Sequence, residues 1–244
     1  MHWIIIKKSM DKKLAKIKEN IENSAEDFNC YFYSKIDVSV KSFIDTLKTK
    51  TSVFLFSGII RDYFIKNINE FRDIDLVIED DLAIENIFKN LNYKKNSFGG
   101  YKIAIGKTVL DLWVVKNTWG LQRQSNLGYV QYLPETTFFN FSSILFSLNN
   151  KVFIIGKDFL KFIQTKKIEV VYEENPYPEL CIVNTLYYKQ KMNCELGNRL
   201  KNYIRQNYPK TKDKLEMIQQ KHFNEIKYSS IYIEQILEKG NYLK

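Results

Sequence analysis

Cysteine, histidine, proline and glycine are all scarce in this chain of 244 residues. The three cysteines, Cys30, Cys181 and Cys194, lie far apart and form no C-x-x-C pair. Their odd number and wide spacing exclude a disulfide framework. Two histidines, His2 and His222, leave too few soft ligands for a structural zinc site. With four prolines and nine glycines, long flexible linkers are not expected. No apolar run approaches the roughly 18 residues needed to cross a membrane. Near the start only Trp3 to Ile6 is apolar, shorter than the core of a secretory signal. An intracellular, reducing compartment, the cytoplasm, is the expected location. Internal repeats and low-complexity segments are absent as well.

What is present is an ordinary globular balance, 45% apolar and 27% charged residues. The length suffices for one large domain or two small ones with a sizeable core. Lys and Arg number 37 against 28 Asp and Glu, a formal charge of +9. Such an excess suits a polyanionic partner, whether nucleic acid, nucleotide or acidic membrane surface, without choosing between them. Twelve Lys and Arg against six Asp and Glu fall from Tyr187 onward, so most of the excess sits in the C-terminal part.

Hydrophobic periodicity orders the chain. Residues 9–30 carry Leu14, Ile17 and Ile21 at helical spacing, and Ile36, Val40, Phe43, Ile44 and Leu47 mark an amphipathic helix. The run Val53-Phe54-Leu55-Phe56 reads as a buried strand that ends at Ser57-Gly58, where a new helix begins. Asp73 to Glu79 alternates acidic and apolar residues as a strand, and a helix is expected over 82–91. Tyr101–Ile105 and Thr108–Val115 read as a hairpin turned at Gly106-Lys107. Beyond Trp119, a short helix is expected over Phe138–Leu148, strands over Val152–Ile155 and Ile168–Tyr172, and a helix over 157–165. After Pro176 and Pro178 only helical periodicity remains. The expected organisation is an N-terminal helical extension at 1–35, an α/β (α+β) head with a small mixed sheet at 36–175, and a basic helical body at 176–244.

Three features carry chemistry. Asp73 and Asp75 alternate on one strand and so share a face, about 7 Å apart at Cα. Two carboxylates on one face of an otherwise apolar strand need partners. A pair of Mg²⁺ ions is a natural solution, since it takes hard oxygen ligands and can clamp a phosphoryl group; Mn²⁺ would suit the same donors. Asp111, between Leu110 and Leu112 on another strand, supplies a third carboxylate. Ser57-Gly58 forms a small-residue turn at a helix start, where backbone N–H groups can meet a phosphate. Arg61, one turn on, can add a bidentate phosphate contact. Trp113 shares the face of Asp111 as a cleft wall or a stacking surface. Asp62 is expected to bond Arg61 or local backbone, and Gln122 and Arg123 follow Trp119 within reach of a nucleotide.

The segments Phe56-Ser-Gly-Ile-Ile-Arg-Asp62 and Asp73-Ile-Asp-Leu-Val77 resemble the signature of the polymerase-β-like nucleotidyltransferases. The resemblance is nearest to the head domain of CCA-adding enzymes and bacterial poly(A) polymerases. Gly58, Arg61, Asp62, Asp73 and Asp75 match that pattern, Ser57 replaces its first glycine, and Asp111 falls where the wider superfamily has its third carboxylate. The resemblance implies a nucleotidyltransferase fold and Mg²⁺-dependent transfer of a nucleoside monophosphate from an NTP, with release of pyrophosphate. It covers about 50–115 and weakens over about 135–195. There Phe139-Asn-Phe-Ser-Ser-Ile144 stands in place of an Arg-Arg-Asp-x-x-x-Asn motif, and Tyr177-Pro-Glu-Leu-Cys-Ile-Val183 in place of an Asp-Pro-x-Arg helix, both without the arginines.

On this reading Asp73, Asp75 and Asp111 bind the metals and Asp111 helps deprotonate the acceptor hydroxyl. Ser57, Gly58 and Arg61 hold the phosphates. The expected acceptor is an RNA 3′ end, that of tRNA, gripped by the basic C-terminal helices. Two alternatives stay open: transfer onto a protein or small molecule, and a non-catalytic nucleotide- or RNA-binding module that keeps the fold.

Overall fold

A computed structural model describes residues 2–67, 73–80, 84–96, 99–124 and 129–243. The chain forms two compact units, one of Met1–Thr137 with Phe141–Gln164, the other of Phe138–Asn140 with Thr165–Lys244. The sequence reading set its main boundary at 175/176. In the structure the second unit starts at 165 and also takes in Phe138–Asn140, because Phe139 pairs with Val170 and Asn140 bonds the backbone of Lys167 and Glu169.

The first unit opens with α1 (His2–Asn23), α2 (Ala25–Ser34) and α3 (Val38–Lys48), followed by β1 (Val53–Phe56) and α4 (Gly58–Phe64). Then come β2 (Asp73–Ile78), α5 (Glu85–Phe88), β3 (Asn92–Lys95), β4 (Tyr101–Ile105), β5 (Thr108–Val114), α6 (Trp119–Arg123), β6 (Ile144–Ser147), β7 (Val152–Ile155) and α7 (Lys157–Thr165). All seven strands join one mixed sheet in the order β3-β4-β5-β2-β1-β6-β7. Every neighbouring pair is antiparallel except β2 with β5. That single parallel pair lies beside β1 and carries all three candidate carboxylates.

Helices flank the sheet as the periodicity predicts. α3 buries Val40, Phe43, Ile44 and Leu47, spaced at helical intervals, at about 1.5–3 kcal/mol for each side chain. One sheet face, with Phe146, Phe153 and Tyr101, packs on aromatic rings from the helices: Phe28 of α2 on Phe146 and Phe153, Phe64 of α4 on Phe153, and Phe88 of α5 on Tyr101. The opposite face is divided along its length. Phe54, Val77 and Leu145 there cluster with Val115, Leu121, Val130 and Leu133, while the other end of β2 and β5 carries the aspartates.

Two local readings change. Phe138–Leu148 is not a helix: Ile144–Ser147 is the wholly buried strand β6, seated between β1 and β7. A run apolar on both sides satisfies a two-faced central strand as well as a buried helix, so periodicity alone does not separate them. Helix α5 is described only over Glu85–Phe88, and residues 82 and 83 of the expected helix lie outside the described part. Strand β3 had no sequence signal, since Asn92–Lys95 is polar and mostly exposed at the sheet edge.

In the second unit β8 (Lys167–Ile168) pairs in parallel with β9 (Glu195–Leu196). Four helices make up most of what remains: α8 (Pro178–Met192), α9 (Asn198–Thr211), α10 (Leu215–Phe223) and α11 (Ser230–Lys239). Pro178 sits in the first turn of α8, where its missing N–H costs nothing. No described helix is long and apolar enough to cross a membrane.

Candidate active site

The register of the parallel pair brings the carboxylates together. Asp75 of β2 stands directly opposite Asp111 of β5, and Asp73 stands opposite Val109. Alternation puts Asp73, Asp75 and Asp111 on one face, while Ile74, Leu76, Leu110 and Leu112 are buried on the other. Adjacent strands lie about 4.8 Å apart, so Asp75 and Asp111 are close neighbours.

Their proximity shows in the electrostatics. Burial, then the charges of Asp111 and Asp73, push the Asp75 carboxyl up to about 7, while Lys102 and Arg61 act in the opposite direction. Lys102 of β4 pairs across the hairpin with Asp111 and sets its ammonium 3.0 Å from Asp111 Oδ2. The sequence reading did not single out Lys102. A two-residue turn at Gly106-Lys107, with Gly106 at φ +59°, fixes this register and was a signal that could have found it.

The turn between β1 and α4 lies beside Asp75. A Cβ built on Gly58 would sit 3.9 Å from Asp75 Oδ2, so the Gly58 backbone flanks that carboxylate. Ser57 is buried and has φ +47°, ψ −81°, near a γ-turn geometry that is rare and strained outside glycine. The turn is nonetheless held at both ends: Ser57 N–H donates to Ile144 O at 3.2 Å, and Arg61 N–H donates to Ser57 O at 2.8 Å.

Arg61 is 5% exposed. Its Nε donates to Asp62 Oδ1 at 2.7 Å and its guanidinium lies 5.3 Å from the Phe141 ring centroid. The expected bond between Asp62 and Arg61 is therefore present. Phe141, inside the segment that departs from the family motif, was not singled out from sequence. Trp113 is set as a wall, with its ring edge-on to Phe56 at 5.5 Å and Nε1 donating to Thr118 Oγ1 at 3.1 Å. Arg123 lies 4.5 Å over the Trp119 ring. Gly99, at φ +78°, donates its N–H to Asn96 O at 3.1 Å.

The donors at this site are all carboxylate oxygens, which suit a hard divalent cation, and the repulsion felt by Asp75 is what such a cation would relieve. Among the described residues no group of three or more His, Cys, Asp and Glu side chains converges closely enough to hold a metal by itself. Mg²⁺ does not require one, since it commonly takes one or two carboxylates and completes its shell with water and substrate phosphate.

The first unit thus combines a mixed sheet, helices against it and a small-residue turn beside paired aspartates. No family model and no curated protein matches the chain. Among solved structures it is similar to a CCA-adding enzyme with ATP, at TM-score 0.60 and 15% identity, over 86% of this chain and 53% of that one. It is similar also to a tRNA nucleotidyltransferase complexed with a primer tRNA and an incoming ATP analog, at TM-score 0.58 and 18% identity, over 82% of this chain and 60% of that one. A third, a tRNA-processing enzyme, gives TM-score 0.58 and 19% identity over 80% and 55%. The chain thus shares their fold and spans a little over half of their length.

Proposed function

We propose that this chain is a metal-dependent nucleotidyltransferase that moves an NMP from an NTP onto an acceptor hydroxyl, an RNA 3′ end, and releases pyrophosphate. The observation that carries the reading is the facing of Asp75 and Asp111 across a parallel strand pair, with Asp73 on the same face and the Gly58 backbone alongside. The likeness in fold to tRNA nucleotidyltransferases supports it.

Asp73, Asp75 and Asp111 would hold Mg²⁺, which when bound polarises the α-phosphate and acidifies the acceptor hydroxyl. The Ser57–Gly58 backbone would hold the β- and γ-phosphates. Arg61, buried between Asp62 and Phe141, would place its positive charge behind that turn. Asp111 would take the hydroxyl proton as the acceptor oxygen bonds the α-phosphorus and the bond to the pyrophosphate oxygen breaks. Lys102, with its ammonium 3.0 Å from Asp111 Oδ2, would orient that carboxylate. Rate acceleration then comes from positioning and electrostatics.

Transfer onto a protein or small molecule is the second reading. It is favoured by the absence of arginines from 139–144, where Phe139, Asn140, Phe141 and Ser143 are buried. One experiment separates the two: incubate the chain with each labelled NTP, Mg²⁺ and a total RNA and protein extract. Label on RNA that disappears in Asp73→Ala and Asp75→Ala supports the main reading, and label on protein alone moves it to the second. No label, with no NTP-dependent thermal shift, overturns both.

A further inference from the structure

The second unit carries an open groove that takes no part in the carboxylate site. It lies between the C-terminal half of α8, with Tyr187 and Lys191, and the entry to α11, with Lys227, Tyr228 and Tyr232, and has a volume of about 750 Å³. Its rings are held in place. Gln219, fully buried, donates through Nε2 to Leu215 O at 3.0 Å and to Tyr228 O at 2.8 Å, and accepts Tyr228 N–H on Oε1 at 2.9 Å. Tyr228 Oη donates to Gln190 Oε1 at 3.0 Å. Tyr232 lies in the first turn of α11, where its N–H donates to Ser229 Oγ at 3.2 Å, and its ring lies 11° from the plane of Tyr228 with centroids 5.9 Å apart. The Tyr232 side is accessible, at 45% exposure. Lys227 Nζ lies 4.9 Å from the Tyr187 centroid and 5.1 Å from that of Phe223, with Glu225 Oε1 at 3.3 Å.

Preset flat rings interleaved with ammonium groups complement one ligand chemistry better than others. Bases stack on tyrosine whatever their sequence, and lysines meet the phosphates between them. An apolar peptide would leave the lysines unused, and a simple anion would leave the rings unused. The segment from Tyr187 onward carries twelve Lys and Arg against six Asp and Glu, so the long-range field has the matching sign. The groove is open, which suits a strand passing through rather than an enclosed mononucleotide.

We infer that the groove between α8 and the start of α11 binds unpaired nucleotides of a single-stranded RNA, with the exposed Tyr232, backed by the buried Tyr228, as the stacking surface and Lys191 and Lys227 on the phosphates. The choice of RNA rests on the acceptor proposed above. The groove's capacity to bind a strand rests on its own geometry.

The test is fluorescence anisotropy of a labelled oligoadenylate with the full chain, without NTP or divalent cation. Tyr232→Ala should weaken binding about tenfold while Tyr232→Phe retains it. Lys191→Gln should flatten the dependence of log K on log salt by about 0.7. Thermal melting of each variant confirms folding, which the exposed position of Tyr232 makes a fair control. The inference is overturned if the oligonucleotide does not bind, if Tyr232→Ala binds as tightly as the parent chain, or if free AMP displaces the strand at equal concentration, which would mark a mononucleotide site. Asp73→Ala with Asp75→Ala should leave this binding unchanged. Failure of the transfer reading therefore appears as lost labelling with RNA binding intact, and failure of the groove as labelling with binding insensitive to Tyr232.

Discussion

Replacing Asp75 by Asn should stabilise the metal-free protein, and the gain should grow with pH. The native carboxyl titrates at about 7 against an ordinary 3.8 because burial and the charges of Asp111 and Asp73 oppose ionisation. Between those two values the native state binds a proton that the unfolded state has lost, so stability falls as pH rises from about 4 to 7 and is level above. The full shift corresponds to about 4 kcal/mol. Partial solvent access reduces this to roughly half. Asn is nearly isosteric and never charged, so it removes the penalty. The expected gain is about 2 kcal/mol at pH 8, equivalent to roughly 5 °C in melting temperature, and less than about 1 kcal/mol at pH 5. Thermal melts of both proteins at the two pH values, with chelator present, measure it. Added Mg²⁺ should raise the melting temperature of the parent chain and leave Asp75→Asn unmoved. A gain that is the same at both pH values, or larger at pH 5, would refute the argument that carboxylate repulsion strains this site.

Other perturbations test other parts of the molecule. Ser57→Gly should stabilise by about 1 kcal/mol, by relieving the positive φ, and should keep any NTP-dependent thermal shift; Ser57→Ala should give no gain. Arg61→Lys loses the Nε bond to Asp62 and the flat contact with Phe141, and should lower stability by about 1–3 kcal/mol and weaken NTP binding in a thermal-shift titration. Glu169 accepts the N–H groups of Val170, Arg199 and Leu200, the last at 2.6 Å, and so anchors the start of α9. Glu169→Ala should cost about 1–3 kcal/mol and accelerate amide exchange at Arg199 and Leu200. Gly197→Ala should do the same, since a Cβ there would overlap the Glu169 carboxylate.

Much of the site was legible locally. The run Val53–Phe56, the Ser57-Gly58 break, the alternation through Asp73 and Asp75 and the hairpin around Gly106-Lys107 are short-range signals, since a strand's period and a turn's chemistry are set within a few residues. They sufficed to put Asp73 and Asp75 on one face and to suspect Asp111. They failed where local pattern is ambiguous or weak: at Ile144–Ser147, apolar on both faces, and at Asn92–Lys95, an edge strand with little to bury.

The sequence by itself determined which residues bear charge, where the chain turns and which strands could carry carboxylates, because those depend on side-chain identity and nearest neighbours. The tertiary structure decided that β2 and β5 pair in parallel, so that Asp75 faces Asp111, that Lys102 neutralises one of them, and that Arg61 is buried against Asp62 and Phe141. It also decided that Phe138–Asn140 joins residues far along the chain and that tyrosines and lysines some forty positions apart line one groove. Pairing between distant segments is selected by the total burial and hydrogen bonding of the whole sheet and helical bundle, and no window of sequence contains that sum.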